Sequence, residues 1–479
     1  MAKTISFLLK LSVRLLALVA AIVLAAFLFL HVSVLWYRLA WYRQDPLPAA
    51  SIDVPGASSA RSFAIVGATL IDGKGGPPLE NSTVLVCGER ICNVGKAGQF
   101  PVPPEARRID ATGKFILPGL IDMHVHLNKG DSLELFLAAG VTTVRDLADS
   151  TDWVRQLRQW TETNQVVGPR IFYAGEALNK LNGDTTAAQA VAEVQQRIAN
   201  GASVIKIVND TRPDLVAAVV QEAHRLHTPV TADLFGNLTL SAAQGIALGL
   251  DGIEHLSGVP RSIQAGDALP LSRPVDALYG WLDKDERKEA ALVAEIVRRG
   301  TYMTPTFAML EAVARVPRPG DPGAQYLAPR LKWYSTASEY LSRFDPGRQT
   351  AFAVHYTASR AFIAKVAAAG GRITAGTDTP TPGVTPGYSL HRELELLANS
   401  GLTPMGAIQA ATRTAAECLG RSADLGTIEP GKLADLLVTA GSPSTQISDI
   451  RRLELVFKGG VAFEPSRIIM ARRGVKTGQ

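Results

Sequence analysis

The stretch Phe115-Ile-Leu-Pro-Gly-Leu-Ile-Asp-Met-His-Val-His126 decides how the rest of this chain is interpreted. It is an apolar run that ends in two histidines, His124 and His126. Side chains two positions apart on a β-strand share one face, so both imidazoles are predicted to point the same way at the end of a strand. Paired imidazoles suit a divalent metal. The pair is also compatible with two half-buried histidines beside a turn, and the rest of the chain has to decide between these interpretations.

Beyond this run, strand-like segments alternate with helical patterns such as Ala187–Asn200 and Asp214–His227. The alternation predicts an α/β fold, a (β/α)8 TIM barrel over residues 119–423, with its active site at the C-terminal ends of the strands. Two long connections, 257–301 and 307–371, follow strands and are expected to cover that face. The predicted strands are Gly119–His126, Thr142–Asp146, Arg170–Ala174, Val204–Val208, Pro229–Leu234, Gly252–Leu256, Tyr302–Thr306 and Arg372–Thr377.

The barrel is flanked on both sides by short β-like runs separated by turn residues. These flanks, residues 61–118 and 424–465, are predicted to form one composite β-sandwich domain. Cys87 and Cys92 lie on either side of a hairpin turn, where a disulfide and two unpaired thiols are both open interpretations. Cys418 follows a helical pattern and is assigned to the core. Residues 466–479 are interpreted as a basic tail.

The N-terminal region predicts a membrane anchor. Leu15 to Trp36 is an apolar stretch of 22 residues, interrupted only by His31 and Ser33. It is long enough to cross a bilayer as a helix, and the aromatic and basic residues that follow favour an uncleaved, single-pass anchor over a cleaved signal. We therefore expect a basic segment at 1–14, a transmembrane helix at 15–37, and a linker at 38–60. The charges slightly favour a catalytic domain on the extracytoplasmic, periplasmic side, with the lipid bilayer as a partner.

The net charge of +5 does not indicate a nucleic-acid-binding protein. Five of the 49 basic residues precede the first acidic residue, Asp45, so the remaining chain carries 44 basic and 44 acidic side chains. A chain without a basic surface excess lacks the electrostatic signature of nucleic-acid binding.

Three further polar residues fall on predicted strands or at their ends: Lys206, His255 and Asp378. A lysine within the apolar strand Val204–Val208 is energetically costly unless it is paired or modified. Together with His124 and His126, these residues place five metal-compatible groups on four strands of one barrel, which favours the metal-site interpretation.

Several motifs make the chain resemble the amidohydrolase superfamily, in its imidazolonepropionase/prolidase-like branch. The resemblance covers about residues 61 to 463. The matching segments are Leu117-Pro-Gly-Leu-Ile-Asp-Met-His-Val-His-Leu, Gly140-Val-Thr-Thr-Val-Arg-Asp, Ile253-Glu-His, Ala375-Gly-Thr-Asp, Ser389-Leu-His-Arg-Glu-Leu-Glu-Leu-Leu, Gly401-Leu-Thr-Pro, Ala410-Ala-Thr and Gly426-Thr-Ile-Glu-Pro-Gly-Lys-Leu-Ala-Asp-Leu.

The resemblance implies a metal-dependent hydrolase that cleaves an amide or related C–N bond of a small molecule, such as a dipeptide-like, N-acyl or cyclic amide. It assigns His124, His126 and Asp378 to one divalent metal. It also implies that Lys206 is carboxylated and bridges two metals, and that His255 binds the second. Asp378 would shuttle the proton from a metal-activated hydroxide to the leaving nitrogen. One or two Zn²⁺ ions are expected, with Mn²⁺, Fe²⁺ or Co²⁺ as alternatives.

One position departs from the family pattern. Asp233 occupies the place on the fifth strand where the family has a histidine. Aspartate is a competent ligand, but it is shorter and adds negative charge. Three interpretations stay open: a working binuclear site with aspartate, a mononuclear enzyme, or a catalytically impaired binding protein. Hydrolysis of esters or lactones at the same site is a further alternative.

Weaker candidates complete the sequence analysis. Arg145, Tyr173 and His391 are possible substrate contacts, each also readable as a packing or salt-bridge residue. The remaining histidines are interpreted as structural or surface residues: His31, His224, His227 and His355.

Overall fold

A computed structural model describes residues 14–21, 24, 62–127, 132–179, 181–209, 211–235, 239–266, 274–316, 320–327, 331–332, 335–336 and 345–472. The chain divides into two compact units, residues 1–45 and 46–479. In the first unit residues 14–21 are helical, and four apolar side chains between Leu15 and Val19 are 54% to 72% exposed. Within these described ranges no helix has the length and apolar character needed to cross a membrane. Most of the predicted anchor 15–37 lies outside the described residues, as do most of segment 1–14, the linker 38–60 and residues 473–479 of the tail.

The strands of the second unit are short and mostly buried. In chain order they are β1 Ser62–Leu70, β2 Leu79–Cys87, β3 Arg90–Lys96, β4 Arg107–Asp110, β5 Phe115–Pro118, β6 Leu120–Val125, β7 Val141–Asp146, β8 Arg170–Tyr173, β9 Ile205–Val208, β10 Val230–Asp233, β11 Gly252–Glu254, β12 Tyr302–Thr304, β13 Leu436–Thr439, β14 Leu453–Lys458 and β15 Val461–Phe463.

Strands β6 to β12 form the central parallel sheets. One sheet joins β6, β7 and β8, and the other joins β9, β10, β11 and β12. Parallel bridges Leu178–Ile207, Met303–Ile373 and Val125–Thr379 connect the sheets through segments 174–178 and 372–379, so the pairing runs around a closed ring. The predicted alternation of parallel strands with helices is confirmed. Apolar runs predicted these strands because parallel strands that are covered on both faces can be apolar throughout.

Helices alternate with the strands of this ring, and several of them bury one apolar face. Helix Pro213–Arg225 begins with proline in its first turn and buries Leu215, Val219 and Ala223 at helical spacing. The other α-helices are Leu133–Ala138, Thr151–Glu162, Ala187–Ala199, Ala242–Ala247, Val259–Ile263, Glu286–Arg299, Phe307–Val313, Pro346–Ala368, Tyr388–Ala398, Pro404–Ala410, Arg413–Cys418 and Pro465–Arg472, and the 3₁₀ helices are Pro274–Asp283, Ala324–Tyr326 and Ile447–Arg451.

The two flanking segments contribute strands to one continuous sheet. Its order is β15-β14-β13-β5-β1-β2-β3, with β4 also on β1. The sheet curls around its own core, in which Phe63 of β1 stacks on Phe457 of β14 at 4.9 Å between ring centroids. Cys87 and Cys92 form a disulfide across the β2–β3 hairpin. The predicted tail is helical over Pro465–Arg472, where Ile468 is fully buried.

The two long connections, which follow β11 and β12, contact each other. The hydroxyl of Tyr279, in the first connection, donates to the carbonyl of Gly347 in the second at 3.2 Å. Trp281 and His355 make a second link, from the indole Nε1 to the imidazole Nδ1 at 2.8 Å. His355 also reaches the C-terminal end of β11, since its Nε2 lies 2.8 Å from the carbonyl oxygen of His255.

Candidate metal centre

Three residues that are distant in sequence have potential metal-ligand atoms that lie close together. The ligand atoms of His124, His255 and Asp378 all lie within 4.8 Å of one another, in a search confined to the described residues. His126 lies beside them, with its Nε2 3.0 Å from Asp378 Oδ1, and His124 Nε2 is 3.5 Å from that same oxygen. The C-terminal ends of β6 and β11 and the segment after Ile373 thus meet at one point, as the ring geometry requires.

The backbone at this point is unusual. His255, Leu256, Thr306 and Asp378 have positive φ angles between 51° and 58°, a left-handed conformation that residues with a Cβ seldom adopt. Such residues cost on the order of 1–3 kcal/mol each and persist only where their surroundings fix them. The turns after the strands are therefore held in shape by specific contacts, and they aim His255 and Asp378 at the centre.

Hydrogen bonds fix the orientation of the two innermost imidazoles. His124 Nδ1 lies 2.8 Å from Glu254 Oε2. Arg145 and His124 hold the pKa of Glu254 well below its ordinary value, although burial alone would raise it. The carboxylate is therefore an acceptor for the N–H at Nδ1 of His124, and the lone pair of Nε2 faces the centre.

His255 is oriented in the same way by a hydroxyl group. Its Nδ1 lies 2.7 Å from Thr306 Oγ1, and that hydroxyl donates its own proton to the carbonyl of Pro305 at 2.8 Å. The hydroxyl therefore accepts from Nδ1 of His255, which leaves the lone pair of Nε2 free. Both rings present the neutral nitrogen that a divalent metal needs.

The charges in the cluster also suit a cation. Burial opposes ionisation of Asp378, yet His126, His124 and His255 keep the pKa of its carboxyl well below the ordinary value. Burial lowers the pKa of His126, but Asp378 outweighs it, so the net pKa is raised. A divalent cation would balance the negative charge of this carboxylate, which a protonated His126 balances otherwise. The donor set thus fits a metal such as Zn²⁺, with nitrogen and oxygen ligands.

Lys206 and Asp233 lie at the edge of the cluster. Lys206 is only 3% exposed, and burial is the main reason that its pKa is lowered. Asp233 Oδ2 is 3.8 Å from His255 Nε2, while its Oδ1 accepts from the backbone N–H of Phe235 at 3.0 Å. Burial would raise the pKa of Asp233, but His255 and Lys206 lower it. Asp233 therefore carries negative charge toward His255 and Lys206.

Arg145 lies inside the ring and not in a substrate pocket, because strand β7 turns its side chain toward the barrel axis. It is 1% exposed and its Nη2 donates to Glu254 Oε1 at 2.7 Å. Its Nε donates to the carbonyl of Met123 at 2.7 Å, and its Nη1 donates to the hydroxyl of Tyr302 at 2.6 Å. Arg145 thus supports Glu254, which in turn orients His124.

Two other candidate substrate contacts also lie away from the cluster. Tyr173 points outward from β8, and its hydroxyl donates to the carbonyl of Asn200 at 2.7 Å. His391 is buried, and its Nε2 bonds the carbonyl of Ala139 at 2.8 Å, just before β7 begins. Tyr173 ends β8 but turns its side chain away from the cluster, and His391 bonds the chain just before β7, so both serve packing.

Two histidines expected to be structural are also placed. His224 pairs with Asp251 at 2.8 Å at the N-terminal end of β11, opposite the cluster. His227 lines the same open cavity of about 600 Å³ as His224. His31 lies outside the described residues.

Glu254, which contacts His124, is not among the site residues predicted from the sequence. Its position directly before His255, within a matching motif, was the available signal. A buried acidic residue in an apolar strand is costly unless it is paired, as is a buried lysine such as Lys206. Its presence beside His255 therefore indicates a residue that orients a metal-binding histidine.

Comparison with known proteins shows the family of this chain. The sequence profile of the amidohydrolase family matches residues 115–469. An imidazolonepropionase of Caulobacter vibrioides (strain NA1000 / CB15N) is 26% identical over 418 residues, which is 78% of this chain and 90% of that protein. A crystal structure of a Xaa-Pro dipeptidase with bound methionine superposes with a TM-score of 0.64 at 24% identity, covering 84% of this chain and 100% of the other. A putative prolidase from Bifidobacterium longum gives 0.64 at 23% identity, covering 87% and 99%. At these identities the structural likeness shows the fold alone.

Proposed function

Since this chain belongs to the amidohydrolase family and is a hydrolase acting on carbon–nitrogen bonds, we propose that it cleaves the amide bond of a small dipeptide-like, N-acyl or cyclic substrate. His124, His126 and Asp378 would hold one divalent metal, with His255 beside them, and such a metal lowers the pKa of water and polarises a carbonyl when bound. The observation that carries this proposal is the convergence of His124, His255 and Asp378, with both rings turned to present Nε2.

Asp378 is the proposed proton carrier. Its Oδ1 faces His126, while its Oδ2 accepts from the hydroxyl of Thr381 at 3.2 Å. Because the carboxyl is ionised at neutral pH, Oδ2 can take a proton from the attacking water and give it to the leaving nitrogen.

We propose further that Asp233 is an adapted ligand of a second metal, together with His255 and a carboxylated Lys206. The lowered pKa of Lys206 supports this proposal, since only the neutral amine reacts with carbon dioxide. The alternative is a single metal held by His124, His126 and Asp378, with Asp233 acting only as a buried charge.

Metal analysis and a substrate screen test the proposal. Purified protein reconstituted with Zn²⁺ or Mn²⁺ is assayed on dipeptides, N-acyl amino acids, cyclic amides and lactones. We expect metal-dependent release of amine product. Asp378→Asn should abolish turnover, whereas the exposed, surface-paired Asp152 provides a matched control as Asp152→Asn. Less than half an equivalent of metal, with no activity restored by either ion, would overturn the proposal. Lactone turnover alone would favour the esterase alternative.

Asp233→His separates an adapted site from an impaired one. A loss of activity on restoring histidine means that Asp233 is a working ligand. A large gain means that Asp233 impairs the site, and that the natural protein is better described as a binding protein.

We also propose that residues 15–37 anchor the enzyme in a membrane, with the catalytic unit on the extracytoplasmic side. The 22-residue apolar stretch and the exposed leucines at its start support this proposal. A reporter fused after Gln479 that is active only in the cytoplasm would refute the orientation, and recovery of the full chain without membranes would refute the anchor.

A further inference from the structure

His355 lies where the two long connections meet the metal centre. It is on helix Pro346–Ala368 of the second connection and is 2% exposed. Trp281, on the 3₁₀ helix Pro274–Asp283 of the first connection, contacts one edge of its ring. The opposite edge contacts the backbone of His255, one of the candidate metal ligands.

The partners of His355 determine which of its nitrogens carries the proton. An indole N–H can only donate, so Trp281 Nε1 donates to His355 Nδ1 across 2.8 Å. In the neutral imidazole the proton must then be on Nε2. That nitrogen lies 2.8 Å from the carbonyl oxygen of His255, to which it donates. A directed chain of hydrogen bonds thus runs from Trp281 through His355 to His255.

The orientation of the His255 carbonyl affects the orientation of the His255 ring. His255 and Leu256 are consecutive left-handed residues, with φ of 57° and 53°. The orientation of the peptide between them sets where the turn goes, and hence where the ring of His255 points. On the other side, the ring is held by the hydrogen bond between its Nδ1 and Thr306 Oγ1. Fixing the carbonyl therefore helps to fix the ligand.

We propose that His355 is a positioning residue for the metal centre, which holds His255 in its ligating orientation and makes that orientation depend on both covering connections. This inference rests on the metal site of the proposed function. It assigns a role to a histidine outside the matching sequence motifs, and it predicts that the covering connections contribute to metal affinity without supplying a ligand.

Four variants test this role. His355→Leu fills the buried position with an apolar side chain and removes the hydrogen bonds to Trp281, His255 and the hydroxyl of Ser359. His355→Gln offers an amide that can donate to His255 and accept from Trp281. Trp281→Phe keeps an aromatic ring but removes the indole N–H. His391→Leu is the matched control, since His391 is equally buried and bonds a backbone carbonyl at the same 2.8 Å, remote from the cluster.

The measurement is the Zn²⁺ dissociation constant of each full-length protein, determined by competition with a chromophoric chelator. Groups that orient metal ligands typically change metal affinity by about 10- to 100-fold. We expect His355→Leu to weaken Zn²⁺ binding by about 10-fold, Trp281→Phe by a smaller factor, and His355→Gln to restore most of the affinity. His391→Leu should bind Zn²⁺ like the natural protein.

The outcomes distinguish this inference from the proposed function. If the natural protein binds Zn²⁺ and His355→Leu binds it as tightly as His391→Leu, the positioning role is overturned while the metal site stands. If the natural protein binds no Zn²⁺, both are overturned. Should His355→Leu fail to fold, unchanged affinity in Trp281→Phe would also overturn the role, and a loss in Trp281→Phe supports it.

Discussion

Glu254→Gln is the most informative single change, because Glu254 both orients His124 and balances the charge of Arg145. One carboxylate oxygen accepts from His124, and the other accepts from Arg145 and from the hydroxyl of Thr231 at 2.6 Å. A glutamine has the same shape but only one acceptor oxygen. If this oxygen faces Arg145, the amide N–H faces His124 and drives the proton of that ring onto Nε2. If it faces His124, two buried donors oppose each other at Arg145.

The first arrangement is the less costly one, since it keeps an acceptor beside the buried cation. We therefore expect metal affinity to fall about 10- to 100-fold, because a proton would occupy the ligating nitrogen of His124. Arg145 loses its counter-charge but keeps Met123 and Tyr302 as acceptors. The free energy of unfolding should then fall by about 3 kcal/mol, the lower end of the range for breaking a buried ion pair.

The assay combines a Zn²⁺ competition titration with urea unfolding of the chelator-treated protein. Glu295→Gln is the control, since Glu295 is a paired glutamate at the surface, where it binds Arg298 and Arg299. Adding Arg145→Met to Glu254→Gln removes the uncompensated charge, and should recover part of the stability without recovering metal affinity. Zn²⁺ binding by Glu254→Gln within about threefold of the natural protein would refute the argument that Glu254 sets the orientation of His124.

Further predictions concern the pH response, the domain contacts, the disulfide and the second metal. Burial lowers the pKa of His391 to about 4, so the unfolded chain binds more protons between about pH 6.5 and pH 4. Stability should therefore fall by roughly 3 kcal/mol as pH drops through that window, and His391→Leu should flatten this slope in urea unfolding of chelator-treated protein. Lys458→Met removes a buried ammonium that donates to two backbone carbonyls, and should lower the free energy of unfolding by about 1–3 kcal/mol. Replacing Cys87 and Cys92 with serine removes the disulfide across a short hairpin loop. In urea unfolding this should lower the free energy of unfolding by about 2 kcal/mol, without changing turnover. Asp233→Ala should reduce the zinc content by about one equivalent, measured by elemental analysis, if Asp233 binds a second metal.

The sequence predicted the framework of the site well, because strand ends are local signals. Continuous apolar runs mark buried parallel strands, and a polar residue at the end of such a run is conspicuous. His124, His255 and Asp378 were all recognised in this way, and the ring brings their side chains together. The same reasoning could not settle which way a polar residue within a strand points, since one position of difference reverses the face. Arg145 and Tyr173 were therefore assigned to a pocket that neither of them reaches.

The contacts that hold the ligands could not be predicted from sequence, because they join residues far apart in the chain. Nothing in a one-dimensional pattern links His355 to His255, or Arg145 to Glu254. The curled sheet has a similar origin. β1 pairs with β4 at its beginning and with β5 at its end, and the strand pattern in the sequence does not show this exchange of partners.

Two sets of residues hold the candidate ligands in place, one inside the ring and one in the covering connections. The first set lies in sequence motifs that match the family, and the second does not. From inside the ring, Glu254 and Arg145 orient His124, and both lie in motifs that match the family. From the covering connections, His355 and Trp281 fix the backbone of His255, and both lie outside those motifs. Connections that cover an active site are also the segments that shape its substrate pocket. Because the same segments hold a metal ligand here, a change that alters substrate choice through them should alter metal affinity as well.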